Sequence, residues 1–236
     1  MKAIIQAGGK GVRLQPYTLL LPKPLMPVGD LPVIEVLLKW LRRWGIKEMF
    51  ITLGYLGQLI RAFCGNGGQW GIDIAYSEEP EPLGTIGPLK LLKEHLNETF
   101  LTLNGDLITN LNLYDLRAYH RQKGGMITVA VTEKRIQADL GVLETNNGTM
   151  TRFREKPSVR YYASTGIYCM EPEILSLIPE SVPFGFDDLM NAMIEQDLPV
   201  YVYKHDGLWL DIGREEDFRR AQKNFLKDYK YDVLGC

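Results

Sequence analysis

Short apolar runs alternate with amphipathic stretches through the first hundred residues. Ala3–Gln6, Met49–Leu53, Ile72–Tyr76 and Phe100–Leu103 have the length and composition of buried strands. Between the first two, Val33, Leu37, Trp40, Leu41 and Trp44 recur at helical spacing, and Gly45 follows. That spacing predicts an amphipathic helix with both tryptophans packed in the core rather than stacked on a base. Strand and helix in alternation predict parallel βαβ units. The second half changes character. Residues 126–132, 140–145, 149–154 and 162–170 are β-prone, with Asn147-Gly148 as a tight turn between the second and third segments. These segments read as an extension of a mixed sheet. Helical periods at 186–195 and 214–227 flank a strand at Val200–Tyr203. No internal repeat, low-complexity tract or linker interrupts the pattern, so a single domain over residues 1–236 is expected.

Composition narrows the function classes. With 236 residues and 45% hydrophobic content, the chain can bury a full core. A formal net charge of −2 and the lack of a basic run exclude the electrostatic footprint of a nucleic-acid binder. No apolar stretch approaches the roughly 20 residues that a membrane-spanning helix needs, and the short apolar segment after Lys2 runs into Gly8-Gly9 rather than a signal-peptide pattern. Cys64, Cys169 and Cys236 are odd in number and widely spaced, which fits a reducing cytoplasm better than a disulfide framework. There is no Cys/His cluster for structural zinc. His95, His120 and His205 are scattered and need no catalytic role.

The densest chemistry lies in residues 7–25, AGGKGVRLQPYTLLLPKPL. Directly after the first apolar run, Gly8, Gly9 and Gly11 let the backbone turn tightly and present N–H groups to an anion. Arg13 adds a planar fork of donors, and Lys23 adds a point charge on a stem stiffened by Pro22 and Pro24. Together they suit a triphosphate. The spacing matches neither G-x-x-x-x-G-K-[ST] nor G-x-G-x-x-G. In open α/β sheets ligands collect beyond the carboxyl ends of the strands, and Asn104-Gly105-Asp106 follows the run Phe100–Leu103. A second carboxylate, Asp211, sits in Trp209-Leu210-Asp211-Ile212-Gly213. Two hard oxygen ligands suit Mg²⁺, which completes its octahedron with phosphates and water.

Taken whole, the string at residues 7–25 resembles the signature of the sugar-1-phosphate nucleotidyltransferases, the NDP-sugar pyrophosphorylases. That signature usually reads G-x-G-T-R-L-x-P-L-T followed by P-K-P; Val12 and Tyr17 are departures. The likeness extends to NGD, to Leu140-Gly141-Val142, to Glu155-Lys156-Pro157, to Ser164-Thr165-Gly166-Ile167-Tyr168 and to the W-x-D-I-G string ending at Gly213. It implies a Rossmann-like three-layer α/β/α fold with a mixed, mostly parallel central sheet, of the nucleotide-diphospho-sugar transferase type. It implies Mg²⁺ on Asp106 and Asp211, with Arg13 on the triphosphate and Lys23 near the α-phosphate. It also implies nucleotide contacts from Ala7, Gly8, Gly9, Gly11 and the loop containing Glu79, Pro82, Gly84 and Thr85. The sugar phosphate would meet Gly141, Glu155, Lys156, Ser164 and Thr165. Ser164 replaces a usual asparagine, so the sugar is left open. The family's C-terminal β-helix or acyltransferase extension is not expected in this chain.

The implied reaction is in-line attack of a sugar 1-phosphate on the α-phosphorus of an NTP, with pyrophosphate leaving and no protein nucleophile. Guanine offers two adjacent donors, whereas uracil and thymine offer one flanked by acceptors, and an ionised glutamate is acceptor-only. Glu79 therefore points to GTP, with UTP or dTTP as the alternative. Trp209–Phe218 likewise resembles short guanylyltransferases acting on mannose or heptose phosphates. Two other classes are weaker. A catalytically silent, nucleotide-sugar-sensing subunit usually lacks a metal ligand or the P-K-P lysine, and both are present here. A glycosyltransferase would carry Asp-x-Asp where this chain has NGD. No nucleic-acid or membrane partner is expected, and a homo-oligomer is left open.

Overall fold

The computed structural model describes residues 1–235; Cys236 lies outside the described residues. The strands are β1 (Ala3–Ala7), β2 (Pro27–Val28), β3 (Leu31–Pro32), β4 (Glu48–Leu53), β5 (Asp73–Glu78), β6 (Phe100–Asn104), β7 (Leu107–Thr109), β8 (Ile127–Gln137), β9 (Val142–Asn146), β10 (Thr149–Arg154), β11 (Ser158–Met170), β12 (Val200–Lys204) and β13 (Trp209–Asp211). The helices are α1 (Val33–Arg43), α2 (Gly57–Cys64), α3 (Leu113–Lys123), α4 (Phe186–Glu195), α5 (Glu215–Asn224) and α6 (Lys230–Leu234).

Seven strands form the central sheet in the order β12-β8-β11-β6-β1-β4-β5. Strand β11 runs antiparallel to β6 and β8, and the other pairings in this sheet are parallel. Successive side chains of a strand point to opposite faces, so each buried strand feeds two cores. In β1, Ala3 and Ile5 pack with α1, α2, α3, α5 and α6, while Ile4 packs with α4 and the 3₁₀ segment Gly87–His95. The result is the three-layer α/β/α arrangement expected from the sequence. Trp40 is buried in the first core, and Trp44 packs edge-on against Tyr114, so both tryptophans serve packing. Cys64 and Cys169 are buried free thiols, each pushed up to about 12 chiefly by desolvation.

The structure corrects the sequence reading in several places. The hairpin at Asn147-Gly148 forms, but β9 and β10 make a separate two-stranded ribbon and do not extend the central sheet. Every residue of both strands is exposed, so no buried face holds them against a neighbour. The predicted strands 126–132 and 162–170 continue beyond the core as a second ribbon, with Gln137 paired to Ser158. Residues Gly87–His95 form a 3₁₀ helix, and the period at 214–227 divides into α5 and a π turn, Phe225–Tyr229. A small antiparallel pair, β7 with β13, went unread because each strand has three residues, too few to show a period.

Candidate active site

The glycine turn leaves the carboxyl end of β1 and passes close to the end of β4. Tyr55 N–H donates to the Gly8 carbonyl at 3.1 Å, and a Cβ on Gly54 would stand 2.7 Å from that same oxygen. Gly11 adopts φ 62°, the left-handed conformation that glycine takes without strain. The Thr18 hydroxyl then donates to the Gly11 carbonyl at 2.8 Å, fixing the turn from below. Three short 3₁₀ turns carry the chain onward, and the last, Lys23–Leu25, presents Lys23 from between two prolines. A cleft of ≈ 880 Å³ opens at this end of the sheet, bounded by the glycine turn, Arg13, Lys23, the 79–88 loop, Asp106 and Asp211.

The two aspartates come from segments a hundred residues apart. Gly105 N–H donates to the Gln6 carbonyl at 2.8 Å, so the chain turns over the end of β1 as it leaves β6. In the β7–β13 pair Leu107 is registered with Asp211, and Ile212 N–H donates to the Asp106 carbonyl at 2.9 Å. This small ladder sets the carboxylates side by side. The Lys23 ammonium bonds Asp106 Oδ2 and lies 3.7 Å from Asp211 Oδ1, while an Arg13 guanidinium nitrogen lies 3.8 Å from Asp211 Oδ2. Gly213 N–H donates to Asp211 Oδ1 at 2.9 Å. Burial pushes the Asp106 carboxyl above the usual range, the Asp211 charge adds to this, and the Lys23 ammonium opposes it.

Lys23 thus occupies the gap between two carboxylates, which shows that the gap accepts a cation. Two carboxylate oxygens are hard donors of the kind Mg²⁺ takes, and among the described residues no group of three or more His, Cys, Asp or Glu forms a fuller cage. The donor set therefore fits a metal that draws its remaining ligands from substrate phosphates and water.

The opposite wall is the loop after β5. Glu79 Oε2 accepts the Leu83 N–H at 2.9 Å. Partial burial raises the Glu79 pKa, and that hydrogen bond opposes the shift. Gly84, at φ 81°, lies so near the Phe184 backbone that a Cβ would stand 2.7 Å from its carbonyl oxygen. The Thr85 hydroxyl accepts the Phe186 N–H at 2.9 Å at the start of α4. Pro82, Gly84 and Thr85 all line the cleft.

The sequence reading missed several lining residues, among them Gln6, Lys10, Gly54, Tyr55, Glu81 and Asn104. Gly54 and Tyr55 directly follow the buried run of β4, and a strand-end position is the signal that could have found them. The five residues assigned to the sugar phosphate lie outside the cleft lining. Glu155 and Lys156 are exposed between β10 and β11, and a Cβ on Gly141 would meet Glu155 Oε2 at 3.3 Å. The Ser164 hydroxyl is 3.2 Å from the Tyr168 hydroxyl, and Tyr168 stacks on Phe186 at 4.5 Å. The Thr165 hydroxyl donates to the Ala130 carbonyl at 2.8 Å, and the Trp209 indole N–H donates to the Thr165 carbonyl at 2.8 Å, so this residue braces β13 from inside the sheet. None of the three histidines lines the cleft.

Sheet order, glycine turn and converging aspartates together define a protein with the nucleotide-sugar transferase type of α/β fold. The chain belongs to the nucleotidyl transferase family, whose signature covers residues 2–228. It is 34% identical over 96% of its length to a UTP–glucose-1-phosphate uridylyltransferase of Synechocystis sp., covering 63% of that protein. It is 33% identical over 98% of its length to the mannose-1-phosphate guanylyltransferase catalytic subunit beta of Dictyostelium discoideum, covering 66% of that protein. The chain thus spans just under two thirds of the length of these relatives. Among solved structures, a putative glucose-1-phosphate thymidylyltransferase from Bacillus anthracis, in complex with a sucrose, superposes with a TM-score of 0.78 at 26% identity, over 97% of this chain and 96% of that one. HddC from Yersinia pseudotuberculosis shares the fold, with a TM-score of 0.75 at 20% identity over 95% of this chain and 99% of that one. No helix among the described residues is long and apolar enough to cross a membrane.

Proposed function

We propose that this chain, acting as one domain, transfers a nucleoside monophosphate from an NTP to a sugar 1-phosphate. A phosphate oxygen of the sugar phosphate bonds to the α-phosphorus while the α–β bridging P–O bond breaks, and pyrophosphate departs with the electron pair. The observation that carries this reading is the convergence of Arg13, Lys23, Asp106 and Asp211 beside the glycine turn. Backbone N–H groups of the turn and the Arg13 fork hold the triphosphate in line. Lys23 neutralises charge at the α-phosphate, and Lys156 holds the attacking phosphate. No side chain needs to act as a nucleophile, because this transfer depends on alignment and on charge stabilisation. Mg²⁺ held by Asp106 and Asp211 supplies charge neutralisation across both reactants when bound.

For the base, we infer a preference for GTP. Among the described residues Glu79 Oε1 carries no protein hydrogen bond and Oε2 carries one, from Leu83, so acceptor capacity is left for the two donors of guanine. Relatives named for mannose-1-phosphate and guanylyl transfer support this reading, and the uridylyltransferase relative supports UTP as the alternative. Pyrophosphate release with four NTPs against several sugar 1-phosphates tests both levels. The expected result is the highest kcat/KM with GTP, and a Glu79→Gln enzyme whose GTP preference shrinks by about 1–3 kcal/mol. A wild-type preference for UTP or dTTP overturns the base assignment, and no pyrophosphate from any pair overturns the activity.

A further inference from the structure

Strand β1 reads Ala-Ile-Ile-Gln-Ala, and its fourth side chain is a half-buried amide near the carboxyl end of a central, otherwise apolar strand, at the lining of the cleft. Placing an amide there costs free energy unless its donors are satisfied. The Gln6 Nε2 group donates to the Thr85 carbonyl, 79 residues away, and lies 3.4 Å from the Thr102 hydroxyl of β6. It therefore joins the strand that launches the glycine turn to the loop that forms the facing wall. The far side of that loop is already fastened elsewhere. Ile86 and Gly87 N–H donate to the Phe184 carbonyl at 3.0 and 2.9 Å, Phe184 N–H donates to the Leu83 carbonyl at 2.8 Å, and Phe186 N–H donates to the Thr85 hydroxyl. All of those bonds join the loop to Phe184 and to the first residue of α4. On the β1 side, Gln6 supplies the side-chain tie.

We propose that Gln6 is a positioning residue for the nucleotide. Acting through the Thr85 carbonyl, it sets the width of the cleft between the glycine turn and the 79–88 wall, and hence the fit of the base and ribose. This rests on the reading of the cleft as an NTP site. Among the described residues Gln6 makes no side-chain hydrogen bond to Gly141, Glu155, Lys156, Ser164 or Thr165, the residues assigned to the sugar phosphate, so the effect belongs to one substrate.

Two variants test it. Gln6→Met keeps the length of the side chain and removes the donor. Gln6→Glu keeps its shape and, when ionised, turns an acceptor toward the Thr85 carbonyl. Each is assayed by steady-state kinetics in both substrates, by thermal melting, and by amide hydrogen exchange across residues 83–89. The expected result is a KM for the NTP raised about tenfold in Gln6→Met, and further in Gln6→Glu. The KM for the sugar phosphate and the melting temperature should stay near wild type, and exchange at 83–89 should quicken severalfold. Unchanged exchange in both variants overturns the tie. Quickened exchange with an unchanged NTP KM overturns its role in binding, and equal rises in both KM values with a lowered melting temperature would make Gln6 a structural residue. If wild-type protein turns over no substrate pair, the proposed function fails and hydrogen exchange alone decides whether the tie exists. Should Gln6→Met not fold, Gln6→Glu carries the same expectations.

Discussion

Strand β1 and the β9–β10 ribbon have similar lengths and opposite surroundings. Four of the five residues of β1 are buried, and it is paired on both sides by β4 and β6. The ribbon pairs only with itself among the described residues and exposes every side chain. Its faces still differ in chemistry. Leu143 pairs with Phe153 and Thr145 with Met150 on one face, while Val142 pairs with Arg154 and Glu144 with Arg152 on the other. The ribbon therefore separates apolar from polar positions although it reports no buried core, whereas β1 is apolar on both faces save at Gln6. What separates them is the number of partners: β1 is held by a sheet and two helical layers, and the ribbon by one turn and one ladder. The cleft sits on the first kind of support; of the residues assigned to the sugar phosphate, Gly141, Glu155 and Lys156 flank the ribbon, while Ser164 and Thr165 lie in β11 of the central sheet.

The sharpest test of that contrast lies at the rigid end. Asp106→Asn or Asp211→Asn removes a charge proposed to hold the metal while the β7–β13 ladder, made of backbone bonds, stays in place. Turnover should fall by about 10³-fold or more with little change in melting temperature. Near wild-type rates at modest Mg²⁺ would remove both residues from the mechanism.

A smaller loss is expected where packing alone supports the phosphate turn. Gly54→Ala would drive a methyl group into the Gly8 carbonyl, which has no flexible side chain to yield. A displacement of the turn by a fraction of an ångström should lower kcat/KM by about 10²-fold, since catalytic alignment is sensitive at that scale. Measuring kcat/KM for both substrates decides this, and an unaffected enzyme would mean that the turn is softer than its contacts suggest.

The mildest effect should come from the exposed region. Lys156→Ala touches no buried neighbour, so the melting temperature should stay within a degree or two while the KM for the sugar phosphate rises about tenfold. Unchanged kinetics would take the ribbon out of substrate binding, and a large loss of stability would show Lys156 to be part of the scaffold.

Much of the cleft was legible in the residues themselves. Ala3–Ala7, Glu48–Leu53 and Phe100–Asn104 form strands close to their apolar runs, because a strand buried on both faces is nearly continuously apolar. The glycine turn, Arg13, Lys23, Pro82, Gly84 and Thr85 were found in one string or loop, and all line the cleft. Gln6 was not singled out, since a lone amide at a strand end carries no local signal. The ribbon was read as strand but misplaced, because alternation specifies two faces without saying what either face meets.

The sequence by itself displayed the apolar runs of the central strands, the glycine turn with Arg13 and Lys23, and Asp106 beyond the run Phe100–Leu103, since each depends on residues near one another in the chain. Tertiary structure alone decided that β9 and β10 stand outside the sheet, that Leu107 is registered with Asp211 so that two carboxylates share Lys23, and that Gln6 reaches Thr85. Those are contacts between distant segments. Their geometry follows from strand pairing and from the burial of polar groups that must find partners, and neither has a period that a single chain displays.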